Sequence, residues 1–150
     1  MTPIPRVAIG LGLAGLLPFL WGLGTFWLDV AHDLTMGTLG PRFVAPYVGL
    51  TYGAMILSFM AGVLWGFATR AAPAVAGFFY ALSVLPALWA FFLVGEGVVS
   101  SARFLIAGFI FLFGLDWLFW QQGLAPDWWM RLRGILTAGV VLCLAPFAIS

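Results

Sequence analysis

The sequence predicts an all-α integral membrane protein: a bundle of five transmembrane helices, N-terminus cytoplasmic and C-terminus periplasmic. Three observations carry that reading. Of 150 residues, 64% are hydrophobic and 7% charged, under a third of the roughly 25% charge that a soluble domain uses. The apolar residues collect into five runs, each long enough to cross a hydrocarbon core of about 30 Å at about 1.5 Å per residue. The arginines, which supply all the basic charge since there is no Lys, divide unevenly between the ends of those runs.

The runs span about 7–28, 46–68, 73–94, 103–120 and 127–147, in a single transmembrane domain covering 1–150. The first follows Pro3-Ile4-Pro5-Arg6; it is longer than the roughly 7–15 residues of a cleaved signal core and no Ala-x-Ala site follows, so it is expected to stay as a helix. Gly37, Gly40 and Pro41, then Ala72-Pro73, Gly95-Glu96-Gly97 and Gly123 to Pro126 supply the turns between runs. Pro46, Pro73 and Pro126 sit near first helical positions, where a missing N–H is harmless. Pro18, Pro86 and Pro146 fall within runs and are expected to bend them.

Arginine placement sets the expected topology, because the cytoplasmic side retains positive charge. Arg6, Arg70, Arg131 and Arg133 fall on the N-terminal side, and Arg42 and Arg103 on the other beside Asp29, Asp33 and Glu96. That is expected to put Ser150 outside; the Arg-only, Gly-, Ala-, Leu- and Val-rich composition is compatible with a bacterial source, and the expected location is the bacterial inner membrane. Trp27, Trp65, Trp117, Trp120, Trp128 and Trp129 lie at run ends and are expected to anchor at the headgroup level. Within the second run, Gly49 and Gly53, and then Ala54, Ser58, Gly62 and Gly66, recur every four residues. Such a ridge lets helix backbones approach closely, so this helix is expected at the centre of the bundle, against the first.

Few residues can carry chemistry. Cys143 is the lone thiol, which excludes an internal disulfide and Cys-ligated metal clusters. Asp116 is the one carboxylate inside a run. An intramembrane acid is a functional suspect, but Arg70, Arg131 or Arg133 could reach it, and a structural ion pair with Arg131 or Arg133 competes with a proton or ligand role. Asp29, His32 and Asp33 have the look of metal ligands without an established spacing, and the expectation is a solvated loop with no metal. The single His cannot form a haem-holding pair. No phosphate loop, nucleophile elbow or second buried carboxylate is present, so no enzyme is predicted. The run from Asp127 to Arg133 suits a helix start lying at the headgroups, or a site for a partner or an anionic lipid.

Two families share this outline. The tryptophan-rich sensory (translocator) proteins have five helices at similar length, but their Trp- and Pro-rich first loop is missing here, where the sequence reads Gly40-Pro41-Arg42-Phe43-Val44-Ala45-Pro46-Tyr47. Ile4-Pro5-Arg6 with Gly12-Leu13-Ala14-Gly15-Leu16-Leu17-Pro18-Phe19, then Tyr52-Gly53-Ala54, Ile56-Leu57-Ser58-Phe59, Gly62 and Trp65-Gly66, resemble the transmembrane protein 69-like family. Ser83-Val84-Leu85-Pro86 and the Pro126, Trp128, Arg131-Leu132-Arg133 run continue the likeness. The chain departs from that pattern at Ala61 and Leu64. The resemblance implies a membrane location in bacteria or mitochondria, and the family carries no settled activity.

Together these readings predict a non-catalytic accessory subunit packing its helix faces against a larger inner-membrane complex, respiratory or photosynthetic. The alternative is a small binder or transporter of a hydrophobic ligand such as a quinone, porphyrin or sterol, held among Trp21, Trp89 and Phe91. No intrinsic cofactor is expected, though helix faces of this kind could hold lipid, quinone or pigment. The expected partners are membrane lipids and other membrane subunits. A net charge of +1 offers no basic surface for nucleic acid.

Overall fold

Each of the five apolar runs becomes a helical span of membrane length in the computed structural model, which describes residues 2–149. Met1 and Ser150 lie outside the described residues, and with them the expectation for the side on which Ser150 emerges. The chain forms α1 (Arg6–Ala14), α2 (Leu17–Trp27), α3 (Asp29–Thr38), a 3-10 turn at Pro41–Phe43, α4 (Tyr47–Ala68), α5 (Pro73–Leu93), α6 (Val98–Gln121) and α7 (Trp129–Ile149). No strand occurs among the described residues.

The first span is two helices rather than one bent helix, and Pro18 is the reason. Proline has no N–H to give the carbonyl of Ala14, and its ring crowds that carbonyl. The chain therefore leaves α1 through a tighter turn, with Gly15 N donating to Gly12 O at 3.1 Å and Leu16 N to Leu13 O at 3.0 Å. α2 then starts with Pro18 in its first turn. Pro86 and Pro146, by contrast, lie inside α5 and α7 as expected.

Two boundaries move for polar reasons. The segment expected as a wet loop, Asp29 to Asp33, is instead the start of α3, which buries Thr35 and leaves Asp29, Asp33 and Leu34 exposed. α6 begins at Val98, five residues ahead of the expected 103. Arg103 can sit inside it because its Nε donates to Ala148 O at 2.9 Å, satisfying a carbonyl at the end of α7.

α4 and α6 pack against each other at the middle of the bundle, with α5 across both. α7 lies along α6, and the first span fits between α4 and α7. Leu57, Leu64, Leu105, Phe109, Leu112 and Phe119 are among the most deeply buried apolar side chains of the resulting core. The small-residue ridge of α4 is only partly used for this packing. Gly49 and Gly53 are buried, and a Cβ at Gly53 would stand 3.0 Å from Leu105 Cδ1. Ala54 is half-buried, whereas Ser58, Gly62 and Gly66 are exposed, and a Cβ at Gly62 or Gly66 would meet nothing within 4 Å. Within the stripe, Gly49 and Gly53 meet the first span at Gly22 and Phe19, whereas Ser58, Gly62 and Gly66 turn away from the core. Residues 53, 57 and 61 face inward, and 54, 58 and 62 follow about 100° further round the helix. The inward stripe holds Leu57, Met60 and Leu64, whose side chains fill the core with dispersion contacts that glycines cannot make.

At the end of the bundle that carries Arg6, Arg70 Nη1 donates to Leu124 O at 3.1 Å and ties the α4–α5 turn to the α6–α7 turn. At the other end, Thr25 Oγ1 accepts from Ala45 N at 2.9 Å and donates to Gly22 O at 3.0 Å, fixing α2 to the approach to α4.

Candidate functional site

Asp116 stands five residues before the end of α6 and is fully buried, at 0% exposure. An ionised carboxylate there must be paired and hydrogen-bonded to be tolerated. Both requirements are met from the start of α7. Arg133 Nε donates to Oδ2 at 2.8 Å and Trp129 Nε1 to Oδ1 at 2.9 Å. Trp129 and Arg133 are four residues apart, so one face of α7 presents both donors to α6. Each carboxylate oxygen has a donor and the charge is neutralised.

The arginine is less well served. Arg133 is 4% exposed, and its Nη2 has no hydrogen-bond partner among the described residues. One further turn along α7, buried Thr137 Oγ1 also has none. A helical threonine can usually turn its hydroxyl to a carbonyl three or four residues back; this one does not. Two buried donors without partners thus lie one turn apart on the same face.

Both residues line a cavity of about 330 Å³ enclosed by the first span, α4, α6 and α7. It borders the break between α1 and α2. Gly12 and Gly15 stand on its wall and contribute no side chains, and a Cβ at Gly15 would lie 3.1 Å from Gly12 O and 3.8 Å from the Tyr52 hydroxyl. The deep walls are aromatic: Phe19 meets Tyr52 edge-on with centroids 5.2 Å apart, and Phe109 at 6.5 Å. Leu11 and Phe59, 70% and 66% exposed, form the lip toward the lipid. A second, larger hollow of about 810 Å³ lies toward the other end, between α2, α3, the 3-10 turn and α4, with Trp21 and Arg42 on its walls. Tyr52 lines both.

Of the ion-pair candidates, Arg133 meets Asp116 and Arg131 does not; Arg131 is exposed and its Nη2 donates to Thr2 O. Arg70 is engaged at Leu124. Trp27, Trp65 and Trp117 are exposed toward helix ends. Trp120 and Trp128 are half-buried, with Trp120 Nε1 donating to Asp127 O at 3.3 Å. Trp129 corrects the anchoring expectation: its indole N–H turns inward to Asp116, and its ring meets Phe67 at 5.0 Å.

The hydrophobic-ligand candidates are not brought together. Trp21 lines the larger hollow. Trp89 packs between α5 and α6, donating to Phe104 O at 2.7 Å and stacking on Phe111 at 6.0 Å. Phe91 is 78% exposed. His32 Nδ1 and Asp33 Oδ1 lie 3.4 Å apart on α3, and among the described residues no group of three or more His, Cys, Asp or Glu could hold a metal. Sequence reasoning missed Thr137 and Tyr52. The signal available for Thr137 was its four-residue spacing from Arg133, which puts both on one helix face.

Comparison with known proteins sets these residues in context. Residues 4–149 match the family described as "Protein of unknown function (DUF3429)". The chain is 33% identical over 145 residues to Transmembrane protein 69 of Xenopus tropicalis, across 93% of this chain and 53% of that protein. It spans about half the length of that curated relative. No solved structure matches.

Proposed function

This chain belongs to the transmembrane protein 69-like family of unknown function (DUF3429), and on that premise we propose that it is a non-catalytic membrane protein that binds a lipophilic molecule between its first span, α4, α6 and α7. One observation carries this reading. Arg133, a residue lining an intramembrane cavity, keeps a buried donor without a partner, its Nη2. In hydrocarbon there is no bulk water to satisfy such a group, and an unsatisfied one costs several kcal/mol. A ligand that supplies the acceptor removes that cost.

The test is to purify the protein in mild detergent, extract it with organic solvent and identify what is released by mass spectrometry. A lipophile recovered at close to one per chain, and lost from Leu136→Phe, is the expected result. Leu136 lines the cavity, and the larger ring fills it. Identical extracts from both proteins, matching bulk lipid, would overturn the reading.

A second reading, the accessory subunit of a larger inner-membrane complex, is favoured by the outward face of α4, where Ser58, Gly62 and Gly66 are exposed. Small residues on a lipid-facing stripe permit close approach of a partner helix. Gly62→Leu should then release a co-purifying subunit while leaving the chain folded; an unchanged set of co-purifying proteins counts against it. Arg6, Arg70 and Arg131 at one end against Arg42 and Arg103 at the other support a cytoplasmic N-terminal end.

A further inference from the structure

We propose that the cavity beside Arg133 takes a neutral, carbonyl-bearing lipophile, toward which the side chains of Arg133 and Thr137 turn so that its oxygen accepts hydrogen bonds from Arg133 Nη2 and Thr137 Oγ1, while its tail leaves past Leu11 and Phe59 into the bilayer. This rests on the ligand-binding reading above and adds the chemical class of the ligand.

Hydrogen-bond polarity comes first. A guanidinium can only donate and a hydroxyl can donate; both unpartnered atoms sit one turn apart on α7. The complementary group is an acceptor able to take two hydrogen bonds, and a carbonyl oxygen has two lone pairs for them. Charge excludes the anionic acceptors. Asp116 already neutralises Arg133 through a 2.8 Å contact, so a ligand carboxylate or phosphate would add an uncompensated negative charge in a low-dielectric site. No second cation lines the cavity. Arg70 is bound to Leu124 O, and Arg131 to Thr2 O.

Size and shape narrow the class further. About 330 Å³ is near the lower end of the roughly 300–1,000 Å³ of small-molecule sites. It suits a single ring or an ester rather than a macrocycle. Phe19, Tyr52 and Phe109 supply aromatic walls to such a head, and the exposed lip gives a flexible tail a way out. Two sources carry this chemistry: a free lipophile such as a quinone, and the ester carbonyl of a membrane glycerolipid.

The experiment uses the full chain in nanodiscs of ether-linked phosphatidylcholine, which has no ester carbonyl. Decyl-benzoquinone, methyl palmitate and palmitic acid are titrated separately, with tryptophan fluorescence as the readout. The expected result is saturable binding of the quinone and the methyl ester, with palmitic acid at least about tenfold weaker, a factor that corresponds to about 1.4 kcal/mol. Thr137→Val keeps the side-chain shape and removes the hydroxyl, and should weaken quinone binding about fivefold, as the loss of one hydrogen bond does. Arg133→Lys retains a charge for Asp116 but has no second nitrogen to reach the ligand while the first holds the carboxylate, and should weaken it about as much. Repeating the titration in ester-linked discs separates the sources: weakened quinone binding there identifies the glycerolipid carbonyl as the competing occupant, and unchanged binding identifies a free lipophile. Palmitic acid binding more tightly than its ester, or Thr137→Val binding all probes as the wild type does, overturns the neutral-carbonyl assignment and leaves the parent reading standing. If no probe binds saturably and solvent extraction releases none, the parent reading falls as well.

Discussion

The hollow beside Trp21 and the hollow beside Arg133 differ in a way that volume alone conceals. The larger, about 810 Å³, is walled by side chains such as Leu17, Leu20, Trp21 and Phe43 that are themselves exposed, and its guanidinium, on Arg42, lies 5.9 Å over the Phe43 ring. None of the buried polar atoms without partners belongs to its walls. Acyl chains can fill it without loss, since lipid tails are as apolar as leucine. The smaller, about 330 Å³, holds Arg133 and Thr137, and lipid tails cannot satisfy either. In a bilayer an apolar hollow is only a place for lipid, whereas an unmet donor specifies what must enter.

The sharpest way to break that contrast is to remove one guanidinium from each hollow. Arg133→Leu strands a fully buried carboxylate with Trp129 as its one remaining donor, and should lower stability by about 3–5 kcal/mol, as breaking a buried pair does. Arg42→Leu removes an exposed charge and should stay within about 0.5 kcal/mol of the wild type. Denaturation of detergent-purified protein, followed by circular dichroism, measures both. Equal losses would mean that the two regions do not differ in the way described. Next in size is Trp129→Phe, which keeps an aromatic ring against Phe67 but withdraws the N–H from Asp116 Oδ1. Hydrogen bonds to charged groups contribute about 1.5–3 kcal/mol, so a loss in that range is expected by the same measurement. The matching change in the other hollow, Trp21→Phe, touches no hydrogen bond described there and should leave the denaturation midpoint in place.

The same contrast explains what the sequence could reveal. All five spans are visible from hydropathy, because in lipid every backbone group must be paired within a helix and length then follows from membrane thickness. The break at Gly15 is half visible: Pro18 announces a disturbance, but whether a proline bends a helix or restarts it depends on the neighbours that receive the freed carbonyl. α3 is not visible, since Asp29 to Thr38 mixes charged and small residues without a long apolar stripe. At the site, the acid and the existence of a basic partner are legible from composition. The choice of Arg133 over Arg70 and Arg131 is not, because it depends on the rotation of α7 about its own axis. That rotation also turns Trp129 from the headgroups toward Asp116 and brings Thr137 to the cavity. A residue-by-residue scale of interface preference cannot register either event.

The smallest effect tests whether the unmet donors exist for a ligand. A buried hydroxyl without a partner destabilises the protein that carries it, and replacing it by an apolar group of the same shape can be neutral or stabilising. In protein stripped of bound lipophile, Thr137→Val should therefore raise stability by about 0.5–1 kcal/mol, whereas Thr51→Val on the wall of the larger hollow should leave it within about 0.5 kcal/mol. Adding decyl-benzoquinone should reverse the order at Thr137: the wild type gains stability in proportion to its binding, by mass action on the folded state, and the variant gains less. A residue kept for packing would show the first effect without the reversal. A hydroxyl that lowers the stability of the empty protein and raises that of the loaded one is placed for the ligand, since sites that bind are commonly held at some expense to the fold.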